Sequence, residues 1–308
     1  MTLSDHYITY PHRRYGIDND RYDWSILPRR DPIKWPNGAK IAFWVVPVLE
    51  YFPMDTPTTP FIALGGSTTP YPDPRTYSSR DYGNRVGAFR VFKALDKHGL
   101  KASVAFNSAV AARYPFLLNE VTRRDWEVIA HSVDMGKLHH GNLDIETERG
   151  YVKESLSTLR EMSGQPVTGW ISPARSESMN TLDLVAAEGL EYVADWVNDD
   201  MPYLLRTASG AIFSMPHTHE ISDVQIIQHM SQTESEFTEQ ICDHFDVLYR
   251  EAATQGGRIM TLTIHPWCMG QPHRIKAFET ALEYILKHDD VWNATGKEIL
   301  AAFQEVGS

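Results

Sequence analysis

From Ala39 onward, short apolar runs alternate with stretches whose apolar residues recur every three or four positions, the pattern of a parallel sheet built from strand–helix units. The predicted strands are Ile41–Leu49, Ala102–Phe106, Glu127–Ala130, Val167–Ile171, Glu191–Ala194, Ile212–Met215 and Ile259–Ile264, with Val291–Asn293 as an eighth. Between them Val86, Phe89, Phe92 and Leu95 repeat at three residues. Phe237, Ile241, Phe245 and Leu248 mark a second apolar helix face, and Ile275, Phe278, Leu282 and Ile285 a third. Seven or eight strands in this order predict an α/β fold, a closed (β/α) barrel occupying residues 39–308 as one domain.

Residues 51–80 break the rhythm. They are rich in proline, glycine, serine and threonine and predict a long loop over the barrel mouth. The aromatics Phe61, Tyr71, Tyr77 and Tyr82 favour a packed lid over a free linker. Residues 1–38 form an irregular arm carrying Tyr7, Tyr10, Tyr15, Tyr22 and Trp24, expected to pack on its own subunit or on a neighbour in a homo-oligomer. No internal repeat is present.

Composition narrows the class. The 308 residues are 42% hydrophobic and 22% charged, ordinary for a globular protein, and no run approaches the ~20 apolar residues that span a bilayer. The first twenty residues lack the apolar core of a secretory signal, so a cytoplasmic location is expected. Cys242 and Cys268 stand far apart without a CxxC partner, which argues against a disulfide framework or cysteine zinc site and predicts two buried or half-buried thiols. A formal charge of −11 disfavours nucleic acid and anionic membrane as partners and leaves a small molecule, neutral or locally steered.

The candidate chemistry lies where strands end. In α/β barrels the loops after the strands converge on one mouth. Here the runs end in Glu50, Asn107, His131, a Pro173–Arg175 loop, Asp195, His217 and His265. His265, closing an apolar strand, suits a general acid. Glu50, followed by Tyr51 and Phe52, is expected to have its carboxyl raised toward the range of a useful base. His131, with Asp134 three residues on and His139 beyond, could share a metal or form a hydrogen-bonded pair. Arg85 and Arg175 could each grip a carbonyl or carboxylate, surface salt bridging being the plain alternative. Trp170, Trp196 and Trp267 could wall a flat substrate or simply pack the core.

The blocks SSRDYGNRVGAFR, EVIAHSVD, GWISPARSE, YVADWVNDD and LTIHPWCMGQPHR resemble the polysaccharide deacetylase superfamily (NodB-homology domain), and within it the intracellular branch that includes metal-independent allantoinases. The resemblance covers roughly residues 38 to 305 and is most specific in the last block. It implies a distorted (β/α) barrel that hydrolyses an amide, either the N-acetyl group of a sugar or a ring amide. It further implies Glu50 as catalytic base, His265 as the acid for the leaving group and His131 as the first histidine of the metal motif. Tyr51 stands where the family's second acid would be and Met135 where its second histidine would be. Arg175 lies near the family's arginine motif at a different local spacing.

Loss of two metal donors disfavours a conventional zinc deacetylase. The leading reading is a hydrolase of a small cyclic ureide or imide. Glu50 would activate water, Asn107 or Arg85 would hold the oxyanion and His265 would protonate the leaving nitrogen. A second keeps a divalent metal such as zinc through His131 with Asp134 or His139 and deacetylates an amino sugar. A third is a barrel that only binds a sugar or small amide, although a pure binder has no need of a matched acid and base.

Overall fold

Strand β1, Ile41–Leu49, is buried along its whole length, which explains why its sequence is a continuous apolar run without polar alternation. Its two faces are nonetheless distinct. Ile41, Phe43, Val45 and Leu49 pack with the surrounding helices, while Ala42, Trp44, Val46 and Val48 pack inward with Ala105, Ile129, Ile171 and Met215. Successive side chains of a strand point to opposite sides, so this inward set, continued by two residues, reaches Glu50 at the mouth.

The computed structural model describes residues 20–306 except 56, 58–60, 68 and 70–71. After β1 come helix α1 (Pro74–Tyr82), a wide helical turn (Gly83–Gly87), α2 (Ala88–Lys97), β2 (Ser103–Phe106), α3 (Ser108–Arg113), α4 (Pro115–Thr122) and β3 (Glu127–Ala130). Then follow α5 (Ile145–Ser163), β4 (Gly169–Trp170), α6 (Thr181–Ala187), β5 (Tyr192–Val193) and the hairpin of β6 (Tyr203–Thr207) and β7 (Gly210–Ser214). A second wide turn (Val224–His229), α7 (Glu234–Gln255), β8 (Arg258–Ile264), α8 (Pro266–Met269), α9 (Ile275–Ile285), β9 (Val291–Asn293) and α10 (Gly296–Val306) complete the chain.

The sheet runs β6-β7-β5-β4-β3-β2-β1-β8, with β9 paired to the start of β1. It is parallel throughout except for the β6–β7 hairpin. The expected α/β barrel is therefore present, but as a curled half-barrel: among the described residues no backbone ladder joins β7 to β8. Side chains cross the gap instead. Thr261 Oγ1 donates to the Pro216 carbonyl at 2.7 Å, and Thr263 Oγ1 pairs with His217 Nε2 at 2.8 Å. The antiparallel β6 was not foreseen, because YLLRT pairs only through a hairpin at the sheet's edge and has one fully buried position.

The helix faces follow the expected periods with one change. Phe237, Ile241, Phe245 and Leu248 are buried, as are Phe278, Leu282 and Ile285. In α2, however, Ala88, Val91, Phe92 and Leu95 face the core and Phe89 is exposed, because a 3.6-residue repeat drifts off a strict spacing of three. Residues 74–80, expected as loop, form most of α1, capped by Asp73, whose carboxylate accepts from the Thr76 N–H at 3.0 Å. Tyr77 and Tyr82 ride on this helix, and Tyr71 lies outside the described residues. So do Tyr7, Tyr10 and Tyr15. Part of the described arm packs on its own chain, Trp35 buried with its indole N–H on the Arg258 carbonyl and Tyr22 edge-on to Trp196, whereas Trp24 is exposed. Cys242 is half-buried and Cys268 buried, both free. No described helix is long and apolar enough to cross a membrane.

Candidate active site

A cleft opens at the C-terminal ends of the strands, with Glu50, His131, Met135, Ser172, Arg175, His217, His219 and His265 in its walls. Strand parity places several of them. Glu50 continues the inner face of β1, His131 that of Ile129 in β3, and His265 that of Thr261 and Thr263 in β8. Leu64, from the 51–73 loop, adds an apolar wall.

His265 is held by a residue that sequence reading passed over. Asp223 accepts from His265 Nδ1 at 2.7 Å and from the His265 backbone N–H at 2.9 Å. It also caps the turn that begins at Val224. Burial works against the imidazolium, but the charges of Asp223 and Glu50 outweigh it and His265 titrates above its ordinary value. For Glu50 the expectation is reversed. Burial alone would raise the carboxyl, yet His265, His131 and the Trp267 indole N–H, 2.7 Å from Oε2, hold it below its usual value. The apolar neighbours visible in the sequence do not set its charge state; three polar groups at the ends of β3 and β8 and in α8 do.

His131 is oriented by its own neighbour strand. Nδ1 lies 2.7 Å from the Ile171 carbonyl, and because a carbonyl only accepts, Nδ1 carries the proton. Nε2 then faces Glu50 Oε1 at 3.9 Å without a hydrogen-bond partner. Asn107 does not reach the cleft. Its Oδ1 accepts from the Tyr51 N–H at 2.9 Å and its Nδ2 donates to the His131 carbonyl, so both amide ends are spent fastening β1 to β3. Fully buried and not part of the cleft wall, it presents no donor to an oxyanion there.

Five other expected contacts fall elsewhere. Arg85 is 75% exposed, with Asp81 4.0 Å away. Trp170 is fully buried on the outer face of β4, donating to Ser172 Oγ, since its neighbour Ile171 takes the inner face. Trp196 donates to Glu177 Oε2 and packs against Tyr22, away from the cleft. Asp195 sits behind the wall, its two oxygens accepting from Ser172 N and Oγ at 2.7 and 2.8 Å. Trp267 touches Glu50 itself rather than a substrate plane, and Arg80 lies over its ring at 3.9 Å from the centroid. His219, two residues beyond His217, joins the cleft and was also unforeseen; burial and Arg175 push it down to about 4.

The donor set does not fit a divalent metal. Met135 lines the cleft where an imidazole would be needed. His139 is spent between Ser132 Oγ and Glu148 Oε1, and Asp134 accepts from the Gly136 N–H. Among the described residues no three His, Cys, Asp or Glu side chains gather as a ligand group.

Comparison with known proteins agrees with this architecture. The polysaccharide deacetylase family model matches residues 69–193. A Schizosaccharomyces pombe protein whose name ascribes polysaccharide deacetylation to it is 26% identical over 303 residues, covering 89% of this chain and 93% of that one. Among solved structures, Puue allantoinase superposes with a TM-score of 0.80 at 23% identity, over 92% of this chain and 98% of its own. A Pseudomonas aeruginosa PAO1 protein described as a probable polysaccharide deacetylase gives 0.77 at 24% identity, over 96% and 98%. The family model thus covers less than half of the chain, residues 69–193, and the solved structures share its fold.

Proposed function

We propose that the protein hydrolyses the C–N bond of a small cyclic ureide or imide without a metal ion. The observation that carries this reading is a matched pair in one cleft: a carboxylate, Glu50, held below its usual value by its neighbours, and a histidine, His265, whose Nδ1 donates to Asp223 at 2.7 Å and which is held above its usual value. Glu50 takes a proton from the attacking water as the carbonyl carbon becomes tetrahedral. The His265 imidazolium faces the developing oxyanion and passes its Nε2 proton to the leaving nitrogen, while Asp223 keeps Nδ1–H in place and stabilises the cation until transfer. His131, fixed through Nδ1, turns Nε2 toward Glu50 and positions the water. A strained or electron-poor ring carbonyl suits such a site, because it needs less Lewis-acid help than an acetamide. Met135 and Tyr51 in place of metal donors support a ureide over an amino-sugar deacetylase.

Turnover of allantoin, hydantoins, cyclic imides and N-acetylated sugars by protein treated with chelator tests the reading. Ring opening with no acetate release is expected. Acetate release from sugars that appears only on adding zinc would replace it with the metal-dependent deacetylase.

A further inference from the structure

Arg175 brings into the cleft a charge that nothing in the described chain takes up. It follows Pro173 in the turn after β4, where Ala174 and Arg175 both hold left-handed backbone, φ 52° and 51°. Two consecutive non-glycine residues in that region are costly, and such backbone persists where the surroundings impose it, often at ligand sites. The result is a guanidinium in the cleft wall whose Nη1 is buried without a hydrogen-bond partner. No ion pair or side-chain hydrogen bond satisfies it among the described residues.

The nearby acids cannot serve. Both Asp195 oxygens already accept from Ser172, and Glu220 is exposed to solvent. The histidines beside it are not rival cations: burial and the arginine's own charge lower His217 well below its ordinary value and His219 to about 4. A desolvated guanidinium with open donors is completed by a planar anion that accepts two parallel N–H bonds. Across the cleft, Glu50 accepts from Trp267 and His265 donates to Asp223.

We propose that Arg175 binds a carboxylate carried by the substrate, so that the preferred substrate is an amide or ureide bearing a carboxylate rather than a neutral one. This rests on the amide-hydrolase reading above and adds the substrate's charge to it. A chain of formal charge −11 repels anions at long range, so a dedicated buried cation is what would let an anionic substrate enter.

The test is calorimetric titration of the full chain at neutral pH with hydantoin and with hydantoin-5-acetic acid, which differ by the carboxylate arm, alongside a hydrolysis assay of both. Wild-type protein is expected to bind the acid at least about tenfold more tightly, a modest return for a charge-assisted fork. Arg175→Gln should bring the two affinities together, and Arg175→Lys, which keeps the charge without the fork, should keep part of the preference. Equal affinities, binding of neither compound, or a preference that survives Arg175→Gln would overturn the proposal. So would an Arg175→Gln protein that loses kcat on both compounds while keeping the preference, since that is the behaviour of an oxyanion donor. Failure of the parent reading shows separately, as hydrolysis of neither compound while the affinity difference is present.

Discussion

Glu50 and His265 lie in one cleft, the carboxyl held below its usual value and the imidazole above its own, and each shift owes part to the other. Removing the base or the acid therefore removes a proton-transfer step: Glu50→Gln and His265→Ala should each lower kcat by ~10²-fold or more with unchanged thermal melting. A variant with near-wild-type turnover would take that residue out of the mechanism. The pH profile of kcat/KM follows from the same shifts. Glu50, held low, loses activity only on its acid side, below the usual carboxylate value. His265, held high, keeps its proton and the activity until pH rises past the usual histidine value. Asp223 raises His265, so Asp223→Asn should move the alkaline limb to lower pH. An unmoved limb would mean that another group supplies the proton.

Between residue and molecule, the elements around Glu50 are set by close backbone approach. The wide turn Gly83–Gly87 lies on α8, and a methyl group placed at Gly87 would stand 2.1 Å from the Pro266 carbonyl oxygen. Pro266 precedes the Trp267 that donates to Glu50. Gly87→Ala must push the two elements apart, which predicts destabilisation of about 1–3 kcal/mol in urea unfolding and a fall in kcat/KM as Trp267 leaves the carboxylate. Gly150→Ala is the control: exposed in α5 with nothing within 4 Å of an added methyl, it should gain roughly 0.5–1 kcal/mol through helix propensity and leave turnover unchanged. If Gly87→Ala behaved like the control, Trp267 would not be held by this packing.

At the scale of the whole molecule the half-barrel gathers donors from five strands but too few of the kind a divalent ion requires. The protein as purified is expected to hold well under one metal ion per chain and to keep its activity through prolonged chelation, measured by elemental analysis and turnover on the same sample. One tightly held zinc per chain, with activity lost on removal and restored on return, would show that other residues rebuild the site.

Much of this was local and so legible in the sequence. Buried strands read as apolar runs, helices as 3.6-residue repeats, and the first polar residue past an apolar strand marks the mouth, which brought out Glu50, His131, His217 and His265 as cleft residues. Parity could have removed Trp170, since adjacent residues of one strand face opposite sides. Distance along the chain hid the rest. Asp223 meets His265 across 42 residues, and the groups that ionise Glu50 come from β3, β8 and α8. Asn107 and Arg85 have the right chemistry in the sequence, yet one is spent within the sheet and the other faces solvent. Residue type and periodicity determine which side chains reach the rim, because both act over a few residues. Their partners and charge states were decided only by the curl of the sheet that brings β8 beside the end of β7.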